Sequence, residues 1–205
     1  MKKLSTKIIS DYQKSINDPV YFFKRFLNIS MNPFQKTAAQ MFYDNRCHIS
    51  YADNGAGKTT LGLGLTAWHA ITQSDQNYVV VCKNPVDRKL LANKFWNLIE
   101  DTAFKLNIEM KRETQRCIRL SNGIVIYFRD SKNLSTLKGM GINYLFADDF
   151  AKWRIKDQDE LAFTFMPSMF KSRLLFLFTM PDKNLGKDPL WLKLMAREDF
   201  KRYKD

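Results

Sequence analysis

The sequence predicts an α/β three-layer sandwich with a largely parallel central sheet. Three observations predict it. Residues 77–83 (NYVVVCK), 143–148 (NYLFAD) and 173–179 (RLLFLFT) are apolar runs without polar alternation, as expected of strands covered on both faces. These runs alternate with amphipathic helical segments, the order that crossover connections between parallel strands require. A short buried strand at 46–52 (RCHISYA) leads into a glycine-containing loop and then an amphipathic run, LGLGLTAWHAIT.

Taken in order, residues 1–30 read as two short helices forming an N-terminal arm or lid. Asp18 is the N-cap and Pro19 the first position of the second helix, whose apolar face is Val20, Phe22, Phe23, Phe26 and Leu27. Asn32-Pro33 repeats that signal, and Phe34, Ala38, Met41 and Phe42 recur at helical spacing to about Asn45. Beyond the strand at 77–83, Asn84-Pro85 opens a long helix through Leu90, Leu91, Phe95, Leu98 and Ile99. Residues 106–129 change character, because NIEMKR, RCIRL and GIVIYFR flank Ser121-Asn122-Gly123. An inserted β-hairpin is expected there, with Asn122 and Gly123 both at positive φ. A helix is expected around 158–170, and another after the last core strand. The division is an arm over 1–30 and one domain over 31–205, without repeats, low-complexity tracts or an interdomain linker.

Composition bounds the function. At 205 residues and 24.1 kDa the chain is too short for two full α/β domains, while 45% hydrophobic and 14% aromatic content supplies a sizeable core. Thirty-three Lys and Arg against 21 Asp and Glu give a net charge of +12, which favours phosphate-rich partners and makes nucleic acid the first to consider. Cys47, Cys82 and Cys117 are far apart and lack metal-ligand spacing, so neither a disulfide framework nor a zinc site is expected. No uncharged stretch approaches the roughly 18 residues of a membrane span, and Met1-Lys2-Lys3 is not followed by an apolar signal region. A soluble, intracellular protein is expected.

The chemistry starts at residues 52–60, Ala-Asp-Asn-Gly-Ala-Gly-Lys-Thr-Thr. Gly57-Lys58-Thr59 match the end of the phosphate-loop pattern, with Ala52 at its first glycine. Gly55 and Gly57 can adopt left-handed angles that turn successive N–H groups inward at a helix start, making an anion nest together with Asn54, Ala56 and Thr60. Lys58 is expected to reach the β- and γ-phosphates of ATP, and the Thr59 hydroxyl to bind Mg²⁺. The bland alternative is a glycine-rich turn with an incidental Lys. A triphosphate site of this kind also needs a carboxylate at the end of a neighbouring strand. Tyr144-Leu145-Phe146-Ala147-Asp148-Asp149 supplies two: Asp148 as metal partner, Asp149 where a Glu usually polarises the attacking water. Phe34-Gln35 offers a ring to pack on adenine and an amide to pair with its N6/N7 edge. Thr179 places a hydroxyl at a strand end beside the nucleotide crevice, where it can sense the γ-phosphate. With the loop and the acidic strand together, a P-loop NTPase fold of the ASCE/RecA-like kind is expected.

The whole pattern resembles the N-terminal ATPase domain of the large terminase subunit, the DNA-packaging motor of tailed bacteriophages. The resemblance spans residues 18–197: the DPVYFFKRF arm, the NPFQ adenine motif, the deviant phosphate loop, the LFADD acidic strand, and FTMP followed by LGKDPLW, similar to the family's coupling motif. It implies hydrolysis of ATP with Mg²⁺ to drive double-stranded DNA into a procapsid. It also implies a homo-oligomeric ring, commonly of five subunits and monomeric in isolation, working with a portal protein and a small terminase subunit. The implied location is the host cytoplasm, transiently docked on the procapsid, with no membrane partner. Three departures stand out. Asp53 occupies a slot where many relatives carry an Arg, Asp149 replaces a Glu, and Lys138-Gly139 replaces an Arg-Gly pair. Lys138 is therefore the first candidate for a cation donated between subunits, and Arg129 the second. Large terminases usually continue into a nuclease domain, which this sequence does not supply, so either an excised ATPase domain or a stand-alone motor with its nuclease elsewhere is expected, the excised domain being favoured. The alternatives are a superfamily 2 helicase-like ATPase, which would need a second RecA-like domain, a nucleotide-gated binder with little hydrolysis, and a basic DNA-binding module with a vestigial loop.

Overall fold

The computed structural model describes residues 4–45, 47–73, 77–114, 116–165, 173–178 and 201–204. Its strands are β1 (Cys47–Tyr51), β2 (Asn77–Cys82), β3 (Met110–Thr114), β4 (Cys117–Leu120), β5 (Val125–Asp130), β6 (Tyr144–Asp148), β7 (Arg173–Phe178) and β8 (Lys201–Lys204). Its helices are α1 (Thr6–Ile16), α2 (Pro19–Arg25), α3 (Pro33–Asp44), α4 (Lys58–Thr72), α5 (Pro85–Lys105) and α6 (Ile155–Phe165), with 3-10 turns at Ser131–Leu137 and Phe150–Lys152. One eight-stranded sheet orders them β3-β4-β5-β2-β6-β7-β1-β8, parallel from β5 to β8 and antiparallel at β3 and β4. The predicted α/β sandwich with a largely parallel sheet is the fold observed.

Side-chain alternation divides the core between the two faces. Tyr78, Val80 and Cys82 of β2 and Tyr144 and Phe146 of β6 join the helical layer of α2 to α5. Val79, Val81, Leu145 and Ala147 face the opposite way, onto Leu134, Leu137, Phe150, Trp153 and Leu161. The two glycines inside α4 serve close packing. A Cβ on Gly62 would lie 2.1 Å from the Phe146 ring, and one on Gly64 would lie 2.1 Å from that of Phe23.

Phe23 belongs to the N-terminal arm and is seated on α4. Phe22, Phe23, Phe26 and Leu27 are buried in the same core cluster as α4. Trp68 Nε1 donates to Ser15 O at 2.8 Å, Tyr12 OH to Ile71 O at 3.0 Å, and Thr102 Oγ1 to Phe26 O at 2.7 Å. These bonds fasten the arm to α5 and to the end of α4 remote from the glycine loop.

The 106–129 region differs from a simple inserted hairpin. β5 runs parallel to β2, from Asn77↔Val125 to Cys82↔Asp130, so the third run is a core strand and only β3 and β4 extend the sheet. At the turn, Gly123 has φ +92° while Asn122 is not at positive φ. The Gly123 N–H donates to Leu120 O at 3.0 Å and the Leu120 N–H to Ile124 O at 2.9 Å. This is a three-residue loop closed by a left-handed glycine rather than a two-residue turn. Asn122 instead donates its Nδ2 to Ala70 O at 3.0 Å, tying the loop to α4. Lys201–Lys204 form β8 along β1, where Lys and Arg suit an edge strand. Helix α6 begins at Ile155, ahead of the expected start. No described helix is long and apolar enough to cross a membrane.

Candidate nucleotide-binding site

The chain leaves β1 at its carboxyl end and reaches α4 through residues 52–57. Gly55 (φ +87°) and Gly57 (φ +82°) flank Ala56, and both lie in the left-handed region where a side chain is strained. Gly57 is the N-cap of α4 and supplies no side chain to its first N–H groups. A loop of this form, at the positive end of a helix dipole, favours an anion.

Lys58 opens α4 and is largely enclosed. It is 7% exposed, and its Nζ donates to Ala52 O at 2.9 Å and Asp53 O at 2.6 Å, bracing the loop. Burial lowers its pKa, and the Asp149 carboxylate is the strongest influence opposing that shift. Ala52, at the slot of the first glycine, is buried and contributes its carbonyl to this bond.

Strand parity brings the acid to the loop. Asp148 has the same parity as Tyr144 and Phe146, whose side chains face α4, so it points toward the start of that helix. There Thr59 Oγ1 donates to Asp148 Oδ1 at 3.0 Å, with Oδ2 at 3.3 Å, across 89 residues of sequence. Asp148 keeps some exposed surface on its cavity side, yet burial, reinforced by the charge of Asp149, pushes its pKa to about 7. Asp149 lies just past the strand with φ +49°, a left-handed conformation that Asp tolerates better than most residues. Its side chain is 39% exposed and pairs with Lys152 Nζ at 3.1 Å. Below it Phe150 and Trp153 are buried, and Trp153 Nε1 donates to Asp148 O at 3.0 Å, fixing the strand end.

Two cavities meet at this point. One, of about 280 Å³, is lined by Asn54, Gly55, Gly57, Lys58, Thr59, Thr60 and Asp149. The other, of about 360 Å³, shares Thr59 and Asp149 and adds Asp148, Asn84, Asp87 and three lysines, Lys83, Lys94 and Lys152. Those last five residues were not singled out as site residues from sequence. Lys83 and Asn84 follow directly on β2, the neighbour of β6, and the rule that ligands bind beyond the carboxyl ends of strands could have found them. Lys94 needed the path of α5. Thr59 Oγ1 and the Asp148 carboxylate are adjacent hard oxygen donors of the kind that would fit a magnesium ion. Among the described residues no group of three or more His, Cys, Asp or Glu could hold a metal by itself.

The adenine motif comes out differently. Phe34, expected to pack on a base, is 3% exposed within the core. Gln35 is 6% exposed, with Oε1 accepting the Asn32 N–H at 3.0 Å and Nε2 donating to Gly57 O at 3.1 Å. Its amide spans the capping box of α3 and the phosphate loop instead of presenting an open edge. Asn32 Nδ2 joins it by donating to Ala56 O at 3.1 Å.

Lys138 is exposed and lines neither cavity; it lies near Gly139 (φ +80°) on the connection toward the amino end of β6. Arg129, at the end of β5, donates from Nη1 to Phe128 O at 3.0 Å and Arg116 O at 3.3 Å, with its guanidinium 5.2 Å from the Tyr127 ring centroid. Thr179 lies outside the described residues, as does the FTMP to LGKDPLW segment beyond Phe178.

Against known proteins, residues 50–185 match the family described as terminase large subunit, T4likevirus-type, N-terminal. No curated protein sequence matches. Among solved structures, the large terminase ATPase domain of Thermus phage P74-26 superposes with a TM-score of 0.67 at 10% identity, over 89% of this chain and 83% of that one. The HK97 bacteriophage large terminase gives 0.74 at 15% identity, over 92% of this chain but 43% of that one. The large terminase of another, thermophilic bacteriophage, in complex with ATP-gamma-S, gives 0.54 at 12% identity, over 98% of this chain and 44% of that one. At such identities the likeness is one of fold.

Proposed function

The chain belongs to the T4likevirus-type family of large terminase subunit N-terminal domains, and from that premise we propose that it is an ATP-hydrolysing motor domain whose turnover drives double-stranded DNA into a procapsid. The observation that carries the proposal is the meeting of Thr59 with Asp148, beside Asp149 and under a loop with two left-handed glycines.

In this reading the N–H groups of residues 55–58 and the start of α4 bind the phosphates of ATP, and Lys58 offsets their charge. Thr59 and Asp148 would hold magnesium, which would supply further neutralisation of the phosphate charge. Asp149 has the exposed carboxylate: it orients a water and accepts its proton as the water oxygen bonds to the γ-phosphorus and the bond to the ADP oxygen breaks. Lys152 pairs with Asp149 at 3.1 Å and restrains that carboxylate. Thr179 passes the change to the segment that follows. Asp53 leaves the loop without a cis Arg, so a ring of copies is proposed in which Lys138 supplies a cation to the neighbour's phosphate. Portal protein and small subunit are the proposed partners, residues 1–30 and 31–205 the proposed division, and the host cytoplasm the proposed location.

The test is Mg²⁺-dependent release of phosphate from ATP by the wild-type chain and by Lys58→Ala. The variant should lose at least about 100-fold in turnover, the scale seen when one preorganised charge-stabilising group is removed. Undiminished turnover would overturn the reading.

A further inference from the structure

Two side-chain amides reach the back of the phosphate loop from one helix start, Asn32 to Ala56 O and Gln35 to Gly57 O, both at 3.1 Å. In a trans peptide group the carbonyl and the following N–H point in opposite directions within one plane. A donor that holds Ala56 O toward α3 therefore aims the Gly57 N–H away from α3. Gly57 O also accepts the Leu61 N–H at 2.9 Å, the first bond of α4, so Gln35 and the helix hold it together and direct the Lys58 N–H back out of the helix start, where Gly57, Lys58 and Thr59 line the cavity.

The orientation of both amides is set by their other ends. Asn32 Oδ1 accepts the Gln35 N–H at 2.8 Å and Gln35 Oε1 accepts the Asn32 N–H at 3.0 Å, the reciprocal bonds of a capping box. With each oxygen committed to α3, each NH₂ must face the loop. The fit is close, since a Cβ on Gly57 would lie 2.4 Å from Gln35 Nε2.

Resting on the nucleotide-site reading above, we infer that Asn32 and Gln35 are positioning residues that hold the phosphate-binding N–H groups in place, and that recognition of the base does not run through them. The pair therefore sets affinity for the triphosphate whatever base it carries.

The experiment uses variants that separate the helix cap from the loop bond. Asn32→Ser keeps a capping oxygen on a side chain too short to span to Ala56 O, and Gln35→Glu keeps the capping-box acceptor but removes the donor. Gln35→Met is the uncharged partner that controls for the added carboxylate. Binding of ATP, inosine triphosphate and base-free inorganic tripolyphosphate is measured with amide hydrogen exchange over residues 56–58. Each variant should weaken all three ligands by one common factor, about five- to tenfold, as for one lost hydrogen bond. Exchange at those amides should quicken while the melting temperature of Asn32→Ser stays close to wild type.

Weakening confined to ATP, with tripolyphosphate binding untouched, would mean that Gln35 reads the base and would overturn the inference. So would unchanged affinity and unchanged exchange in all three variants. A wild-type protein that binds none of the three ligands would overturn the nucleotide-site reading, and the exchange measurement, which needs no ligand, would still show whether the clamp exists.

Discussion

The two walls of the phosphate loop are built on different principles. On the α3 side, neutral amides bond to backbone carbonyls, and Asn32 and Gln35 cap their own helix with the same groups. On the β6 side stand ionisable groups in contrasting surroundings. Asp148 is enclosed, bonded by Thr59 and pushed to a pKa of about 7, while Asp149 is 39% exposed and paired with Lys152. Neutral bonds hold a shape and are indifferent to pH or salt, whereas a carboxylate near solvent can exchange a proton during turnover. Geometry is thus assigned to one wall and chemistry to the other, and substitutions on the two should fail differently.

The largest effect is expected at Asp149. Asp149→Asn should bind Mg-ATP close to wild-type strength while turnover falls by about 10² to 10⁴, the contribution of a positioned general base. Phosphate release under saturating ATP checks this. Asp148→Asn should fail in the other way: the Mg²⁺ concentration needed for half-maximal turnover should rise about tenfold or more, because a carboxylate that fits the metal has become an amide. If both variants lose only turnover, with magnesium dependence unchanged, the contrast between the two acids collapses.

Gly62→Ala gives an intermediate effect and tests how β6 is held to α4. Exchanging Gly for Ala in a helix interior ordinarily gains up to ~1 kcal/mol, but here the new methyl meets the Phe146 ring at 2.1 Å. Overpacking of that kind costs about 1–3 kcal/mol, so the net change should be destabilising. Chemical denaturation should show it, together with a higher Mg²⁺ concentration for half-maximal turnover as Thr59 is moved from Asp148. A stabilised variant would mean that the contact is easily relieved.

Lys152→Ala and Lys138→Ala form the smallest and most discriminating pair. Lys152 lines the cavity and pairs with Asp149, and Lys138 does neither. Lys152→Ala should lower turnover several-fold at every protein concentration, as expected when one exposed ion pair worth up to ~1 kcal/mol is lost. Lys138→Ala should matter only where copies assemble. Activity recovered by mixing Lys138→Ala with Lys58→Ala subunits would support donation between subunits.

Sequence reading reached the β6 wall more readily than the α3 wall, for a physical reason. Gly57-Lys58-Thr59 is a contiguous pattern whose chemistry lies in its own backbone, and Asp148 follows an apolar strand whose parity aims it. Gln35 could not be placed that way, because its partner is a backbone carbonyl 22 residues away, and carbonyls leave no residue-type signal. Phe34 carries a helical periodicity that suits a core ring as well as a base platform. The sheet was legible from its apolar runs, but not the parallel pairing of β5 with β2, since a strand's composition does not state its neighbour's direction. Asn122 shows the same limit, because Asn-Gly permits two positive φ angles without requiring them.

The most direct test of the divided site is one assay on one variant: Mg-ATP binding and single-turnover hydrolysis measured side by side for Asp149→Asn. The account predicts a dissociation constant within about threefold of wild type, since Asp149 is assigned no share in holding phosphate or metal, beside a hydrolysis rate reduced by about 100-fold or more. Hydrolysis at the wild-type rate, or loss of binding with the chemical step intact, would contradict it.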